Sequence, residues 1–260
     1  MTSAPPVRRR PAPLRAAVRR TTRLSPHLVR VTVTGEDLTR FRWAGPAGHL
    51  KLMLPEPGHT DVALPEPDDE GLVALDRSAP ITMRTYTARR FDEERRELDL
   101  DVVLHGHGPA SAWAEQARLG DKLAVSVPRA AGFVQDPGAN WLLLGGDASA
   151  LPAIATILPT VTVPLAAYVE IDDPADRIPL DRPVAWLPRR GAPGEALAAA
   201  MLAHARPAGR GQVWVATEAG AVRHIRQGLL RALDRDQVTT RGYWRTGQAN
   251  HPDHDYGDDA

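Results

Sequence analysis

The hydrophobic period of this chain of 260 residues changes halfway along it, and this change restricts the possible folds more than any other sequence feature. Up to about residue 135, apolar residues mostly alternate with polar ones, as in LVRVTVT at residues 28–34. Beyond residue 140, short apolar runs alternate with segments of helical period. Single-residue alternation is typical of antiparallel strands with one buried face, whereas strands interleaved with helices are typical of a parallel sheet. The sequence therefore predicts two domains of different class.

Each half gives its own set of predicted elements. The first half is predicted to form an antiparallel β-barrel, with strands at residues 15–20, 28–34, 49–54, 82–88, 98–104 and 122–127 and a helix at 109–117. The second half is predicted to form an α/β domain with a parallel sheet, with strands at 141–144, 165–169, 184–187, 212–217 and 238–244 and helices at 150–158, 196–205 and 221–233.

The domain limits follow from these elements and from composition. We set the barrel domain at residues 15–137 and the α/β domain at residues 138–247, because a turn cluster at 136–140 separates the two patterns. Residues 1–14 and 248–260 are predicted to be disordered tails. Residues 55–80 are rich in proline and acidic side chains and are predicted to form a surface loop.

The composition excludes several kinds of redox and binding site. No cysteine is present, which excludes disulfides, thiolate zinc sites and cysteine-held iron–sulfur clusters. The 32 basic residues equal the 32 acidic ones, so no net charge attracts nucleic acid or an anionic membrane. His251 and His254 lie in the polar tail and are not predicted to bind a metal. If this protein transfers electrons, it must therefore use an organic cofactor.

An uncharged stretch at residues 148–169 is long enough to cross a membrane. Pro152, Pro159 and Pro164 would break such a helix and leave backbone groups unpaired in lipid, so we predict a buried helix and strand instead. The arginine-rich N-terminus is not followed by the continuous apolar segment of a signal peptide. We therefore expect a cytoplasmic protein without membrane insertion, and we expect it to be a monomer.

A first motif, RTYTAR, lies on the predicted strand at residues 82–88. Alternation places Arg84 and Tyr86 on one face of the strand, and Thr85, Thr87 and Arg89 on the other. An arginine, a phenol and hydroxyl groups at this spacing suit an anionic ligand that carries a flat ring. The alternative is an ordinary barrel strand with an exposed arginine.

Two further motifs suit phosphate groups. The segment LHGHGPASAW at residues 104–113 runs from a strand through glycines into a helix start, where free N–H groups and the helix dipole favour an anion. Ser111 could instead be a simple helix cap. The segment LLGGDASALPAI at residues 143–154 is the first strand–turn–helix of the α/β half, where nucleotide phosphates dock, but it lacks the GxGxxG fingerprint.

Together these motifs resemble the siderophore-interacting protein family, which comprises flavin-dependent ferric-siderophore reductases of the ferredoxin-reductase-like superfamily. The matching segments are HLKL at 49–52, RTYTARRFD at 84–92, VLHGHGPASAW at 103–113, GDASALPAI at 146–154, VWVATEAGAVR at 213–223 and GYWRTG at 242–247. The resemblance implies a FAD-binding β-barrel followed by an NAD(P)H-binding α/β domain, as in ferredoxin-NADP reductase.

The resemblance also implies site residues. Those expected to contact FAD or the nicotinamide nucleotide are Arg84, Thr85, Tyr86, Thr87, Arg89, His105, Gly108, Pro109, Ala110, Ser111, Trp113, Gly146, Asp147, Ser149, Ala150, Glu218, Tyr243 and Trp244. Three basic residues, Lys51, Arg129 and Arg245, are predicted to surround an anionic ferric siderophore, although each could be an ordinary exposed cation. Tyr243 and Trp244 either cover the flavin ring or end a core strand.

The implied reaction passes a hydride from NADH or NADPH to FAD, and then single electrons from the flavin to a chelated ferric ion. Ferrous iron is released because hard oxygen ligands hold it less tightly. Two alternatives stay open: a general NAD(P)H:flavin or ferric reductase, and a non-catalytic protein that binds a siderophore or a flavin. Ala148 and Ser149 stand where the family usually has Glu-Thr, and Thr217 stands where it usually has glycine; both departures lie in the nucleotide half.

The choice between NADH and NADPH also stays open. Glu170 and Asp172 follow the second strand of the α/β half, where an acid can accept hydrogen bonds from a ribose and repel a 2′-phosphate. Arg177 and either Arg189 or Arg190 are close enough in sequence to bind that phosphate instead.

Overall fold

The computed structural model describes residues 9–56, 58–68, 70–74, 81–106, 108–128, 130–248 and 251. Over these residues the first half of the chain holds nine strands, one α-helix and a short 3₁₀ helix at Glu36–Arg40. The strands are β1 (Arg9–Pro11), β2 (Leu14–Ser25), β3 (Leu28–Thr34), β4 (His49–Leu54), β5 (Leu72–Ala74), β6 (Thr82–Thr87), β7 (Arg90–Asp92), β8 (Glu97–Val103) and β9 (Lys122–Val125), and the helix is α1 (Pro109–Gln116).

The described part of the second half holds five strands and three α-helices. The strands are β10 (Trp141–Asp147), β11 (Leu165–Ile171), β12 (Ala185–Pro188), β13 (Gly211–Glu218) and β14 (Val238–Trp244), and the helices are α2 (Leu151–Ile157), α3 (Glu195–Ala203) and α4 (Ala219–Leu229). Within the described residues no helix is long and apolar enough to cross a membrane, and the longest of these four spans eleven residues.

The N-terminal strands form a seven-stranded antiparallel sheet in the order β6-β4-β9-β2-β3-β8-β7. The ends of this sheet meet, because the N–H of Arg89, just after β6, donates to the carbonyl of Asp99 on β8 over 2.9 Å. Alternate residues such as Val31, Leu50 and Leu100 point inward and form the buried core. The predicted antiparallel barrel is therefore confirmed.

The N-terminal tail and the acidic insertion are more ordered than the sequence predicted. β1 pairs antiparallel with β5 inside the insertion, and Leu14 is only 1 % exposed, so the predicted disordered tail at 1–14 was too long. Val62 and Leu64 of the insertion pack with Met53 of β4 against the outside of the barrel, so this segment is not merely a surface loop. The sequence did not predict β1 and β5 because each has only three residues, too few to show the alternation of a strand.

The C-terminal sheet is parallel throughout, with strand order β12-β11-β10-β13-β14. Helices α3 and α4 pack on one face, against Leu143 and Val215, and α2 packs on the other, against Leu144 and Trp214. Every residue of the central strands β10 and β13 is buried, as expected for strands that are covered on both faces. This confirms the predicted α/β domain.

The segment between the two sheets is fixed to both of them. The carbonyl of Pro46 accepts hydrogen bonds from the N–H groups of Gly132, at 2.9 Å, and Phe133, at 3.1 Å. A Cβ at Gly132 would lie 2.3 Å from the carbonyl oxygen of Ala47, so only glycine fits there. From the other side, Trp214 Nε1 on β13 donates to the carbonyl of Gly132 over 3.1 Å. The connection therefore acts as a rigid joint.

A second contact joins the two domains through Asp176. Asp176, in a short 3₁₀ turn after β11, accepts hydrogen bonds from Ser25 Oγ (2.8 Å), from the N–H of His27 (3.0 Å) and from His27 Nδ1 (2.9 Å). The carbonyl of His27 in turn accepts from the N–H of Leu104, at the end of β8. The α/β domain is thus tied to the loop that leads into α1.

Candidate functional site

Strand β6 presents the RTYT segment with its side chains on alternate faces. Lys51 and Thr85 are paired across β4 and β6, and Lys51 Nζ donates to Thr85 Oγ1 over 2.6 Å on the outer face of the barrel. Tyr86 packs against the barrel core on the opposite face. Burial raises the pKa of Tyr86 to about 12, although the nearby charge of Arg84 acts in the opposite direction. Arg84 and the phenol of Tyr86 therefore lie together, as the alternation predicted.

Thr87, at the end of β6, meets the last strand of the α/β domain. It is buried and forms a hydrogen bond with Tyr243 of β14. Burial raises the pKa of Tyr243 to about 12, and the hydrogen bond with Thr87 opposes that increase. The Tyr243 ring also packs edge-on against Trp214, with 6.4 Å between ring centroids. The strand that carries the RTYT motif thus faces the α/β domain directly.

The described residues of the turn between β8 and α1 form a cradle of glycine and helix-start backbone that suits a phosphate. Gly108 has a φ of +88°, which side chains other than glycine rarely adopt, and a Cβ there would lie 3.2 Å from His105 Cε1. Ser111 Oγ accepts a hydrogen bond from the N–H of His105 over 3.0 Å, so this hydroxyl fastens the turn. Pro109 begins the helix, and the N–H groups of Ala110 and Ser111 belong to the first turn, which has no acceptors within its own helix.

These residues fit FAD by their chemistry. Helix α1 packs against β6, so the guanidinium of Arg84 and the first turn of α1 come from neighbouring elements, and both favour a diphosphate. Trp113 packs on the barrel core below the cradle and supports α1. Thr85 and Thr87 supply hydroxyl groups on the other face of β6, where Thr85 contacts Lys51 and Thr87 meets Tyr243 of the α/β domain.

Arg89, the last member of the predicted flavin set on this strand, has a carboxylate partner within the barrel. Its Nε lies 3.7 Å from Asp101 Oδ2, and Asp101 is also held by Arg30 through two bonds of 2.7 and 2.8 Å. Burial lowers the pKa of Arg89, while the charge of Asp101 opposes this effect. No local sequence pattern indicates this cluster, because Arg30 and Asp101 are 71 residues apart and meet only through β3–β8 pairing.

The GGDAS segment, called the GGDAS loop below, comprises the last three residues of β10 and the start of the turn after it, and helices pack closely on both of its faces. A Cβ at Gly145 would lie 2.2 Å from Met201 Sδ, and one at Gly146 would lie 2.6 Å from the Cβ of Ala150. Ala150 is itself fully buried, so it packs rather than binds. The Asp147 carboxylate accepts hydrogen bonds from the backbone and side chain of Ser149 and from two side chains on neighbouring strands. The glycines therefore serve packing, and Asp147 organises the loop.

Beside this loop lies a cavity of about 460 Å³, at the carboxyl edge of the parallel sheet. Its walls are the starts of α3 and α4, with the segment after β14; the lining includes Gly194, Glu195, Glu218, Ala221, His224 and Thr246. Glu218 caps α4 by accepting hydrogen bonds from the N–H groups of Gly220, at 2.5 Å, and Ala221, at 3.1 Å. Nucleotides bind at this edge of open α/β sheets, so the cavity is the candidate nucleotide site.

Three residues considered for cofactor choice, Glu170, Asp172 and Arg189, have partners within the α/β domain, and Glu170 is the clearest case. It is 2 % exposed, and its two oxygens accept hydrogen bonds from the N–H groups of Gly194, at 2.7 Å, and Leu197, at 3.0 Å. Glu170 therefore caps α3, so of the two alternatives left open by the sequence, ribose binding by this carboxylate is not supported. Asp172 and Arg189 form an ion pair of 2.7 Å with each other. Local sequence patterns do not predict this cap, because Glu170 precedes Gly194, at the start of α3, by 24 residues.

The three basic residues predicted for the siderophore have different outcomes. Lys51 lies on the outer face of the barrel beside Thr85, and its backbone pairs with Ser126. Arg245 directly follows β14 and forms a backbone bridge with Gln248, where a disordered tail was expected to begin. Arg129 lies outside the described residues. Since β6 meets β14 at Thr87, Lys51 and Arg245 stand on elements that adjoin the same interface.

The antiparallel barrel joined to a parallel sheet with a cavity at its carboxyl edge has the two-domain fold of flavoproteins of the ferredoxin-reductase type. The family model described as siderophore-interacting FAD-binding domain matches residues 17–132, and that described as siderophore-interacting protein matches residues 139–247. The chain belongs to the siderophore-interacting protein family. The predicted family resemblance and the FAD cofactor are thereby confirmed.

Individual relatives cover nearly the whole chain. The ferric vibriobactin reductase ViuB of Vibrio cholerae serotype O1 is 32% identical over 238 residues, with 86% of each chain covered. The NADPH-dependent ferric-chelate reductase of Escherichia coli (strain K12) is also 32% identical, covering 87% of this chain and 91% of its own. The crystal structure of a siderophore utilization protein from T. fusca superimposes with a TM-score of 0.82 at 35% identity, covering 95% of this chain and 96% of that chain.

Proposed function

We propose that the protein is a FAD-dependent ferric-siderophore reductase that takes hydride from NAD(P)H and reduces chelated Fe(III) to Fe(II). The observation that carries this proposal is the meeting of β6 and β14 at Thr87 and Tyr243, which sets the flavin strand against the edge of the sheet that holds the nucleotide cavity. Relatives named as ferric reductases support the choice of substrate. A cytoplasmic location, where nicotinamide nucleotides are available, fits this reaction.

The residues of the barrel have distinct roles in this proposal. Arg84 and the first turn of α1 neutralise the diphosphate of FAD, and Gly108 lets the backbone approach it. Thr85 and Thr87 direct hydroxyl groups toward the ring. When bound, FAD supplies the ability to accept a hydride and to release electrons singly, which the side chains of this cysteine-free chain lack. We extend the FAD-binding domain to residues 9–137, because β1 and β5 belong to it, and place the nucleotide domain at residues 138–247.

The stoichiometry follows from the electron count. One NAD(P)H yields two electrons and one proton as it becomes NAD(P)⁺, so it reduces two ferric chelates in succession. Each Fe(II) product is held less tightly by hard oxygen ligands and leaves its chelator. Lys51, with Arg245 near the same interface, attracts an anionic ferric chelate to the flavin. Because all of these parts lie in one chain, we further propose that a monomer is sufficient.

The pyridine nucleotide is proposed to be NADPH. Glu170 is occupied as the cap of α3 and the charge of Asp172 is balanced by Arg189, so neither acidic side chain is left to repel a 2′-phosphate, and the Escherichia coli relative is named as NADPH-dependent. Rates of anaerobic flavin reduction with NADPH and NADH, each at several concentrations, would test this choice. A higher kcat/KM with NADH would refute it.

The chain offers a matched pair of lysines for testing the ferric-siderophore role. Lys51 and Lys122 are its only lysines, and Lys122 is exposed and pairs with Asp61 at 3.2 Å. We expect Lys51→Ala to raise the KM for an anionic ferric siderophore while leaving flavin reduction by NADPH unchanged, and Lys122→Ala to change neither. Equal effects of the two substitutions would contradict the role of Lys51.

Two outcomes with the unsubstituted protein would favour the alternatives. Equal turnover of ferric citrate and of ferric siderophores would indicate a general ferric reductase. A flavin that stays oxidised with both NADPH and NADH under anaerobic conditions would indicate a binding protein. Bleaching by NADPH, followed by reoxidation with ferric siderophore in the two-to-one ratio given above, is the expected result.

A further inference from the structure

The carboxylate of Asp147 joins the ends of three adjacent strands. One oxygen accepts hydrogen bonds from the N–H and Oγ of Ser149, at 2.9 and 2.5 Å. The other accepts from Thr217 Oγ1 on β13, at 2.7 Å, and from Trp244 Nε1 on β14, at 2.8 Å. An ionised carboxylate has about four lone-pair positions, so the four donors use its whole capacity. Asp147 and Thr217 are both buried, so water competes little for these bonds.

A register shift explains how Trp244 reaches this carboxylate. Thr217 pairs with Gly242, but Glu218 pairs with Trp244, so Tyr243 is an extra residue in β14. An extra residue of this kind bends a strand and redirects the side chains around it. Here Tyr243 contacts Thr87 of the flavin strand, and the indole N–H of Trp244 points to Asp147.

We propose that Asp147 is a positioning residue, which fixes the indole of Trp244 as the wall against which the nicotinamide ring is placed beside the flavin strand. Ser149 and Thr217 hold Asp147 in turn, so Thr217 acts on the nicotinamide without touching it. This role rests on the proposed function, because it requires the reductant to bind at this edge of the sheet. In this role Asp147 and Trp244 set the position of the nicotinamide ring, whereas the cavity between α3 and α4 accommodates the rest of the nucleotide.

The decisive variant is Thr217→Val in the FAD-loaded protein. Valine has the shape of threonine but cannot donate, so it removes one bond to Asp147 and little else. We expect kcat/KM for NADPH to fall about tenfold, the effect of losing one hydrogen bond to a charged group. FAD content and the KM for the ferric siderophore are expected to stay unchanged. Thr240→Val, at a buried threonine elsewhere on β14, is the matched control and is expected to leave kcat/KM for NADPH unchanged.

A second readout follows Trp244 without turnover. The contribution of Trp244 to tryptophan fluorescence is obtained by subtracting the spectrum of Trp244→Phe, and its exposure is measured by acrylamide quenching. We expect Thr217→Val to increase that quenching. We also combine Thr217→Val with Trp244→Phe. In this double variant, Thr217→Val is expected to have no further effect on kcat/KM for NADPH, because the two substitutions act through the carboxylate of Asp147.

The results separate the possible failures. Unchanged quenching and unchanged kcat/KM for NADPH in Thr217→Val would overturn the positioning role, and so would additive effects in the double variant. If neither NADPH nor NADH reduces the flavin of the unsubstituted protein, both the proposed function and the role of Asp147 in placing the nicotinamide are refuted. The quenching measurement then still decides whether Asp147 fixes Trp244.

Discussion

The hydrogen bonds of Asp176 to Ser25 and His27 provide a measurable link between the two domains. Asp176→Ala removes all three of these bonds at once and leaves two donors without their acceptor, the buried Ser25 Oγ and the partly buried N–H of His27. The imidazole of His27 is half exposed, so water can replace its bond. The substitution therefore tests whether the interface is held mainly by this carboxylate.

The expected loss follows from these two donors. Leaving a buried donor unsatisfied costs about 1–3 kcal/mol, and the partly buried N–H of His27 adds less because water can reach it, so Asp176→Ala is expected to lower the free energy of unfolding by about 2 kcal/mol at pH 7. Partial burial opposes ionisation of Asp176, but the hydrogen bonds from Ser25 and His27 outweigh it and lower its pKa below the ordinary 3.8. A carboxyl with a lowered pKa stabilises the fold above its unfolded-state pKa, so this contribution is complete above about pH 5 and is lost as the pH falls below the ordinary value.

Urea unfolding of the parent protein, Asp176→Ala, Ser25→Ala and the double variant at pH 7 and pH 3.5 is the assay. Ser25→Ala is expected to cost much less in the Asp176→Ala background than alone, because both changes remove the same bond. A loss below about 1 kcal/mol at pH 7 would refute the estimate, since it is less than one unsatisfied donor should cost. An undiminished loss at pH 3.5 would refute the ionic origin.

Three further substitutions test separate parts of the structure. Arg84→Ala is expected to weaken FAD retention, measured by absorbance after gel filtration, whereas Arg90→Ala, at an exposed arginine of the next strand, should retain the flavin fully. Gly146→Ala places a Cβ 2.6 Å from that of Ala150 and is expected to cost about 1–3 kcal/mol in urea unfolding; unchanged stability would contradict the packing account. Glu170→Ala is expected to destabilise the protein by about 2 kcal/mol through α3, while the NADH to NADPH ratio of kcat/KM stays the same.

The parts of this fold that the sequence predicted are those encoded by neighbouring residues. The alternation in LVRVTVT becomes β3, and the fully apolar start of β10 becomes a strand covered on both faces. The three motif segments lie on the elements that their spacing predicted, because a strand end and a helix start are local events. The family resemblance extended this reading to FAD and to the order of the domains.

The parts that the sequence could not predict depend on which strands become neighbours. Asp147 meets Trp244 across 97 residues, and Asp176 meets Ser25 across 151, so no local pattern could pair them. Glu170 looked like a ribose ligand because its position after a strand is correct for one. Its carboxylate instead satisfies backbone donors of α3, an outcome that only the packing of that helix decides.

The fixed connection at Gly132 has a consequence for how this chain can be divided or recombined. The carbonyl of Gly132 accepts a hydrogen bond from Trp214 of one domain, and Ala47 of the other domain leaves no room for a Cβ at this position. Both domains therefore contribute contacts to Gly132. A chimaera that joins this barrel to the α/β half of a relative would inherit half of that joint. Such an exchange should give a folded protein only when residues 46–47, 132–133 and 214 all come from the same parent. The sequences of the two domains are therefore expected to change together in evolution.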